Sequence, residues 1–306
     1  MPHDHHHHHH HVDPAAGDGR LIGAIAVNLL LTVAQVAGGI VSGSLAMIAD
    51  ALHNFSDAIS LVIAAVARRI ARRPASAEMP FGYARAEVVA ALVNYTTLIV
   101  IGVYLVAEAV MRFLEPEPVR GWIVVIIAGV ALVVDLVTAL LTWSMSKDSV
   151  NIRAAFLHNV ADALGSVAVI VAGTVILLFG WTWVDPAVTL LIAGYILWMA
   201  FAEIGSVIRI LMLGSPPDLA PREVIDEVLK VEGVGGLHKA HLWQIDERRA
   251  ALQAHLVVDE GAWARADTIK GAVKERMETR FGIHHVVLEM ECARHACATP
   301  QEWGDG

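Results

Sequence analysis

The sequence predicts an α-helical membrane protein with six transmembrane helices, followed by a smaller C-terminal α+β domain. Three observations carry that expectation. The 306-residue chain is 56% hydrophobic and only 17% charged, with a mean hydropathy of +0.56, a balance rare among water-soluble proteins of this size. Six apolar segments are long enough to cross a bilayer, which takes ~20 residues of helix. After about Gly214 the composition turns charged, with Pro216-Pro217 marking the break. A net charge of −9 argues against nucleic acid as a partner. Two cysteines, both near the C-terminus, argue against a disulfide framework.

Taken in order, the chain opens with a polar tail over 1–19 and no evident cleavable signal peptide. His3 and His5 through His11 lie in this tail, and two readings stay open: a purification tag or a native metal-gathering segment. The membrane region is expected over 20–213, with helices at 20–43, 45–70, 84–112, 120–145, 153–180 and 184–212. Gly43, Pro74, Pro80, Pro116, Pro118, Gly121, Gly180 and Pro186 punctuate the connections. Lys and Arg gather between the second and third helices (Arg68, Arg69, Arg72, Arg73, Arg85) and between the fourth and fifth (Lys147, Arg153). The loop Gly180–Asp185 has neither. The positive-inside rule therefore puts both termini in the cytoplasm, with Trp181 and Trp183 in an outer interfacial belt. In the remainder, 214–306, the pattern predicts a helix over 221–231, strands over 236–246 and 250–259, a helix over 262–280 and a strand over 284–291. That order suits a small α+β sandwich with one sheet face open.

The chemistry concentrates in a duplicated segment. Leu52-His-Asn-Phe-Ser-Asp-Ala58 nearly recurs as Leu157-His-Asn-Val-Ala-Asp-Ala163, in the second and fifth apolar segments. Each copy spaces a His and an Asp by four residues, one helical turn, so both side chains share a face. Two such helices facing each other offer His53, Asp57, His158 and Asp162 to one point. A lone His-x-x-x-Asp is common by chance, but two matched copies in mid-membrane are not. Ionisable groups at that depth cost roughly 2.5–3.5 kcal/mol each, so they call for a function. Two imidazoles and two carboxylates suit Zn²⁺, whereas an all-oxygen set would suit Mg²⁺. Metal must displace protons from the histidines, which makes a metal-for-proton exchange possible near neutral pH.

Strand alternation sorts the C-terminal histidines. Leu252, Ala254, Leu256 and Val258 share one face and His255 lies on the other with Gln253. Val286, Leu288 and Met290 alternate with His285, Val287, Glu289 and Glu291. His238, Ala240, Leu242 and Gln244 alternate with His241, Trp243 and Ile245. The open face is expected to collect His238, His255 and Glu291, although a one-residue slip would reverse the assignment.

Together with Ser44-Leu-Ala…Ala49-Asp-Ala-Leu-His-Asn-Phe-Ser-Asp57, the segments Phe81-Gly-Tyr-Ala-Arg-Ala-Glu87, Leu157-His-Asn-Val-Ala-Asp162 and His238-Lys-Ala-His-Leu-Trp243 make nearly the whole chain resemble the cation diffusion facilitator family. The resemblance implies a homodimeric zinc/proton antiporter of a bacterial inner membrane, with a ferredoxin-like cytoplasmic domain. It implies His53, Asp57, His158 and Asp162 as the transport ligands, and His on both helices resembles the zinc-preferring branch. It further implies a cytoplasmic zinc site at His238, His255 and Glu291, to which Cys292, His295 and Cys297 could add, against the alternative of free surface thiols. Some relatives hold an interfacial ion between two histidines; His284 matches one position, but Ala84 stands at the other, which puts that site in doubt.

Asn28, Gln35, Asn94, Glu108, Asp135 and Glu203 read as bundle-facing polar groups. Asp50, one turn before Asn54, could support the ligands, and Asp135 could relay protons. Arg85 and Glu87 are expected to hold the domains together. The lipid bilayer, Zn²⁺ and H⁺ are the expected partners. Two rival functions use the same residues: a zinc-sensing membrane receptor and an intramembrane zinc metalloenzyme. No His-Glu-x-x-His segment favours the second.

Overall fold

A computed structural model describes residues 29–143, 150–294, 296–297 and 301–304. The His-rich tail and His295 lie outside them. Helix α1 is described over Leu29–Ser42. It is followed by α2 (Leu45–Ala71), α3 (Ala86–Leu114), α4 (Gly121–Trp143), α5 (Val150–Phe179) and α6 (Val184–Leu211). Five of these, α2 through α6, are long and apolar enough to cross a membrane. Five of the six expected segments thus appear as helices of spanning length and the first is helical over Leu29–Ser42, while 20–28, with Asn28, and 144–145 of the expected segments lie outside the described residues. The chain packs as two compact units: the described residues up to Val62 with Thr97–Ala200, and Ile63–Thr96 with the residues from Phe201 onward.

In the first unit, small residues set the helix approach. A Cβ at Gly121 would lie 2.5 Å from the Gly173 carbonyl oxygen, and one at Gly173 would lie 2.9 Å from Val124. Helices α4 and α5 therefore pack almost backbone to backbone, the arrangement that small residues permit in membranes where no hydrophobic drive favours association. The buried stripe of α2 mixes Ala46, Met47, Ala49 and Ala51 with Asp50, His53, Asn54 and Ser56. Its apolar members pack, while Asp50 and Asn54 meet Gln35 of α1 and His53 approaches Asp162 of α5.

The C-terminal fold matches the expected order. Helix α7 (Pro221–Leu229) precedes strands β1 (Val234–Gln244) and β2 (Ala250–Val258), then α8 (Ala266–Phe281) and β3 (His285–Cys292). The sheet order is β1-β2-β3, with β1 antiparallel and β3 parallel to β2. Ile269, Val273 and Met277 recur every fourth residue of α8 and pack with Val224 and Val228 of α7 on Leu242, Leu252, Leu256 and Val286. Gly282 ends α8 at φ 66°, where its N–H returns to Met277 and Glu278, a left-handed cap that favours glycine. Leu229 of α7 is 40% exposed, while the core takes Val224, Ile225 and Val228.

β1 departs from simple alternation. His238 pairs with His255, but His241 pairs with Gln253, so β1 carries one extra residue in between. Lys239 takes φ 48° at this bulge. The extra residue shifts the phase of the strand. His238 therefore faces the same side as His241 and His255, rather than sharing the core face with Leu242 as unbroken alternation would require. Along the other edge of β1, Lys239 and Ala240 donate to the carbonyls of Gln301 and Glu302 at 2.8 and 3.0 Å, and Ala240 bridges to Trp303.

Candidate metal centres

Helices α2 and α5 bring the four duplicated side chains together. His53 Nε2 lies 3.7 Å from Asp57 Oδ2 and 3.8 Å from Asp162 Oδ1. His158 Nε2 lies 3.5 Å from Asp57 Oδ2 and 3.5 Å from Asp162 Oδ2. These separations exceed ordinary hydrogen-bond lengths. They sit close to the edge of a zinc coordination tetrahedron: bonds of about 2.0–2.2 Å put ligand atoms about 3.3–3.6 Å apart. Buried Asp57 Oδ2 and Asp162 Oδ1 have no hydrogen-bond partner, nor has His53 Nδ1. The donor atoms of His53, Asp57 and Asp162 all lie within 4.8 Å of one another, and a cation held by these three, with His158 beside the carboxylates, would satisfy the two orphaned oxygens.

The cluster is lopsided. The side chains of His53 and Asp162 are each 9% exposed, against 23% for Asp57 and 47% for His158. One half is closed and the other open to an entering ion. Tyr195 of α6 closes the first half, its ring edge-on to His53 with centroids 6.2 Å apart. Behind the cluster, Gln35 of α1 donates to Asp50 Oδ2 at 2.8 Å and accepts from Asn54 Nδ2 at 3.4 Å. A Cβ at Gly165 would sit 2.8 Å from Asp50 Oδ1. Asp135 accepts from Ser166 at 3.2 Å. Asp50 and Asp135 thus join α2 to α1 and α4 to α5.

A residue that sequence reasoning treated only as part of a loop proves central to this unit. Asp185, fully buried at the start of α6, accepts from Ser44 Oγ at 2.5 Å and from the Leu45 N–H at 2.8 Å. The Ala46 N–H is 3.4 Å away and Arg112 Nη1 4.0 Å. Arg112 also donates to the Gly43 carbonyl and pairs with Glu117 at 3.0 Å. An acid from α6 thereby caps α2, the helix that carries His53 and Asp57, together with the local cap Ser44, whose Oγ accepts from the Met47 N–H at 3.2 Å. Carboxylate followed by proline at a helix start is a faint signal. Nothing local connects it to Ser44.

In the second unit the bulge, β2, β3 and the segment after β3 converge. Donor atoms of His238, His255, Glu291 and Cys297 all lie within 4.8 Å of one another. His255 Nδ1 is 2.6 Å from Glu291 Oε1, and its Nε2 is 3.3 Å from Glu289 Oε2. His238 Nε2 is 3.3 Å from Glu291 Oε2, yet it is buried without a hydrogen-bond partner. Cys297 Sγ lies 3.8 Å from Glu291 Oε1. Burial pushes the Glu291 carboxyl up, but His255, His238 and the Cys297 N–H outweigh it and hold the group below its ordinary value. Imidazole, carboxylate and thiolate are each zinc ligand types, and the orphaned His238 nitrogen fits a cation held among the four groups. Cys292 does not join them; next to Glu291 on β3, it alternates to the other face. His284 pairs instead with Glu278 at 3.2 Å. Arg85 and Trp243 stack with 5.5 Å from guanidinium to ring centroid, and Arg85 donates to the carbonyls of Gln244 and Ile245.

Residues 21–212 match the model of the cation efflux transmembrane domain, and residues 216–293 that of the cation efflux protein, cytoplasmic domain. These two matches, over the membrane helices and the small α+β domain, define a metal-cation transporter rather than an enzyme. The chain belongs to the cation efflux, or cation diffusion facilitator, family. It is 35% identical over 289 residues to the zinc transporter ZitB of Pectobacterium atrosepticum, covering 92% of this chain and 89% of that protein. It is 34% identical over 266 residues to a cadmium, cobalt and zinc/H(+)-K(+) antiporter of Bacillus velezensis, covering 86% and 85%. It is 32% identical over 291 residues to the metal cation efflux system protein CzcD of Cupriavidus metallidurans, covering 95% and 89%. The solved metal-bound C-terminal domain of the CzcD transporter is 26% identical, with a TM-score of 0.23 over 24% of this chain and 99% of that one.

Proposed function

We propose that the chain exports cytoplasmic Zn²⁺ in exchange for protons, with His53, Asp57, His158 and Asp162 holding the ion in transit. The observation that carries this reading is the set of His53, Asp57 and Asp162, whose donor atoms lie within 4.8 Å of one another, with His158 3.5 Å from both carboxylates and buried carboxylate oxygens left unpartnered. Zn²⁺ reaches the open half at His158 and Asp57 and displaces protons from the imidazoles. The carboxylates neutralise the ion, which lowers the penalty of carrying two charges through hydrocarbon. When the site faces outward, protons from the acidic side reoccupy the imidazoles and release the metal. Imidazole suits this step because its protonation changes near neutral pH. Two His among the ligands favour zinc over harder ions.

Residues 20–213 form the transporting part and 214–306 the cytoplasmic part of a homodimer in a bacterial inner membrane, with both termini cytoplasmic. In the cytoplasmic part His238, His255, Glu291 and Cys297 would hold a regulatory zinc ion. Such an ion supplies a cross-link between the three strands and the segment after β3. The similarity to transporters named for zinc, cadmium and cobalt supports the substrate class. The test is zinc uptake into inside-out proteoliposomes under an imposed pH gradient. Uptake that a protonophore collapses agrees with the reading; uptake indifferent to the gradient contradicts proton exchange.

A further inference from the structure

The cytoplasm-facing charge signal of the sequence has a compact structural form. Arg68, Arg69, Arg72 and Arg73 occupy the last turn of α2 and the turn that follows it, and all four are exposed. The Arg72 N–H returns to Arg68 at 3.3 Å, and that of Arg73 to Ile70 at 3.0 Å. The helical path therefore continues through Arg72, one turn after Arg68, and tightens at Arg73, which gathers four exposed guanidinium side chains at one helix end. Glu78 is the one acid between Asp57 and Glu87, and among the described residues none of the four arginines makes an ion pair. Arg73 meets only the Tyr83 ring, 6.0 Å away. In a chain of net charge −9 such an unneutralised patch calls for an anion from outside.

Its surroundings identify the kind of anion. Val66, 55% exposed, lies on the same helix stripe as Arg69 and Arg73, three and seven residues before them. The apolar stripe that faces hydrocarbon therefore runs directly into the arginines. Phe81, which follows the patch, turns instead to the strand β1, its ring edge-on to Trp243 with centroids 6.2 Å apart. A soluble polyanion would meet charge alone, whereas a phospholipid meets charge at the headgroup and apolar surface beneath it.

We propose that the Arg68–Arg73 patch is a binding site for anionic phospholipid headgroups. Guanidinium forks pair with phosphate oxygens in two-bond geometry. Each basic side chain near a charged leaflet strengthens binding by about fivefold, and more where the lipid is held.

The test uses the full-length chain in mixed micelles, titrated with short-chain phosphatidylglycerol or phosphatidylcholine and read by native mass spectrometry. Wild type is expected to bind phosphatidylglycerol at least tenfold tighter than phosphatidylcholine, less so at high salt, without competition from inorganic phosphate. R68Q/R69Q/R72Q/R73Q is expected to lose that preference, and R68K/R69K/R72K/R73K to keep most of it. Equal binding of the two lipids by wild type overturns the proposal. So does an unchanged preference in the glutamine variant, or displacement by inorganic phosphate at equal concentration. The wild-type comparison decides the matter even where the glutamine variant does not insert.

Discussion

Replacing Asp185 by alanine removes the cap that α6 lends to α2. Two bonds to the carboxylate are short, 2.5 Å from Ser44 and 2.8 Å from the Leu45 N–H. Hydrogen bonds to a charged group contribute roughly 1.5–3 kcal/mol each, net of solvation. Together they set a range of about 3–6 kcal/mol. Two features pull the effect to the lower end. Ser44 Oγ still accepts from the Met47 N–H at 3.2 Å. Arg112 keeps Glu117 and the Gly43 carbonyl, so no guanidinium is stranded. Asp185→Ala should therefore destabilise the membrane unit by about 3 kcal/mol, roughly a hundredfold in the unfolding equilibrium. Ser44→Ala, which removes one short bond and the internal Ser44–Met47 bond, should cost about 1–2 kcal/mol. Unfolding by SDS in mixed micelles measures both. An Asp185→Ala protein within about 0.5 kcal/mol of wild type, the range of an ordinary surface substitution, would refute the capping argument.

The other expectations concern the cytoplasmic part. With cobalt(II) as a probe, the thiolate-to-metal absorption band should vanish in Cys297→Ser and persist in Cys292→Ser; the reverse pattern would move the thiol ligand to the wrong face of β3. Glu227 of α7 is surrounded by Lys230, Arg276 and Arg280, which hold its pKa down to about 2 from an ordinary 4.5. A depressed carboxyl pKa stabilises the fold above the unfolded value, and the stabilisation is lost as pH falls through the folded one. Hydrogen-exchange protection of α7 and α8 should accordingly decline between about pH 4.5 and pH 2 in wild type. Glu227→Gln should be less protected at neutral pH and lack that decline; identical pH profiles would contradict the assignment.

How far the sequence announced this molecule depended on the range of the signal. The His/Asp pairs were legible because their chemistry repeats at one helical turn within each segment, and membrane depth makes such groups conspicuous. The helix order was legible from hydropathy. Asp185 was not, because its partners lie about 140 residues away and capping by another helix leaves no local pattern. The bulge in β1 was invisible for a different reason: a lysine at φ 48° has no compositional marker. The expected open-face set of His238, His255 and Glu291 does come together, but not by alternation, which keeps His238 with Leu242; the extra residue at Lys239 turns His238 toward the other two. Cys292 and Cys297 look equivalent in a linear reading; strand parity and the turn after β3 separate them. Pairing of Gln301 and Glu302 with β1 likewise depends on the folded edge that the bulge creates.

The transit role of the α2–α5 cluster is tested most directly by counting zinc and flux on the same vesicles. In a His238→Ala/His255→Ala background, with the cytoplasmic cluster disabled, the transporter should bind one zinc ion per chain and carry zinc down an imposed pH gradient. Adding Asp57→Ala removes the oxygen nearest both imidazoles, 3.7 Å from His53 and 3.5 Å from His158. If a four-ligand site contributes about 10–16 kcal/mol, losing one ligand weakens binding by roughly 3 kcal/mol, on the order of a hundredfold. The expected result is half-saturation at a roughly hundredfold higher zinc concentration together with loss of flux. Zinc carried at the background rate by the Asp57→Ala protein would contradict the account.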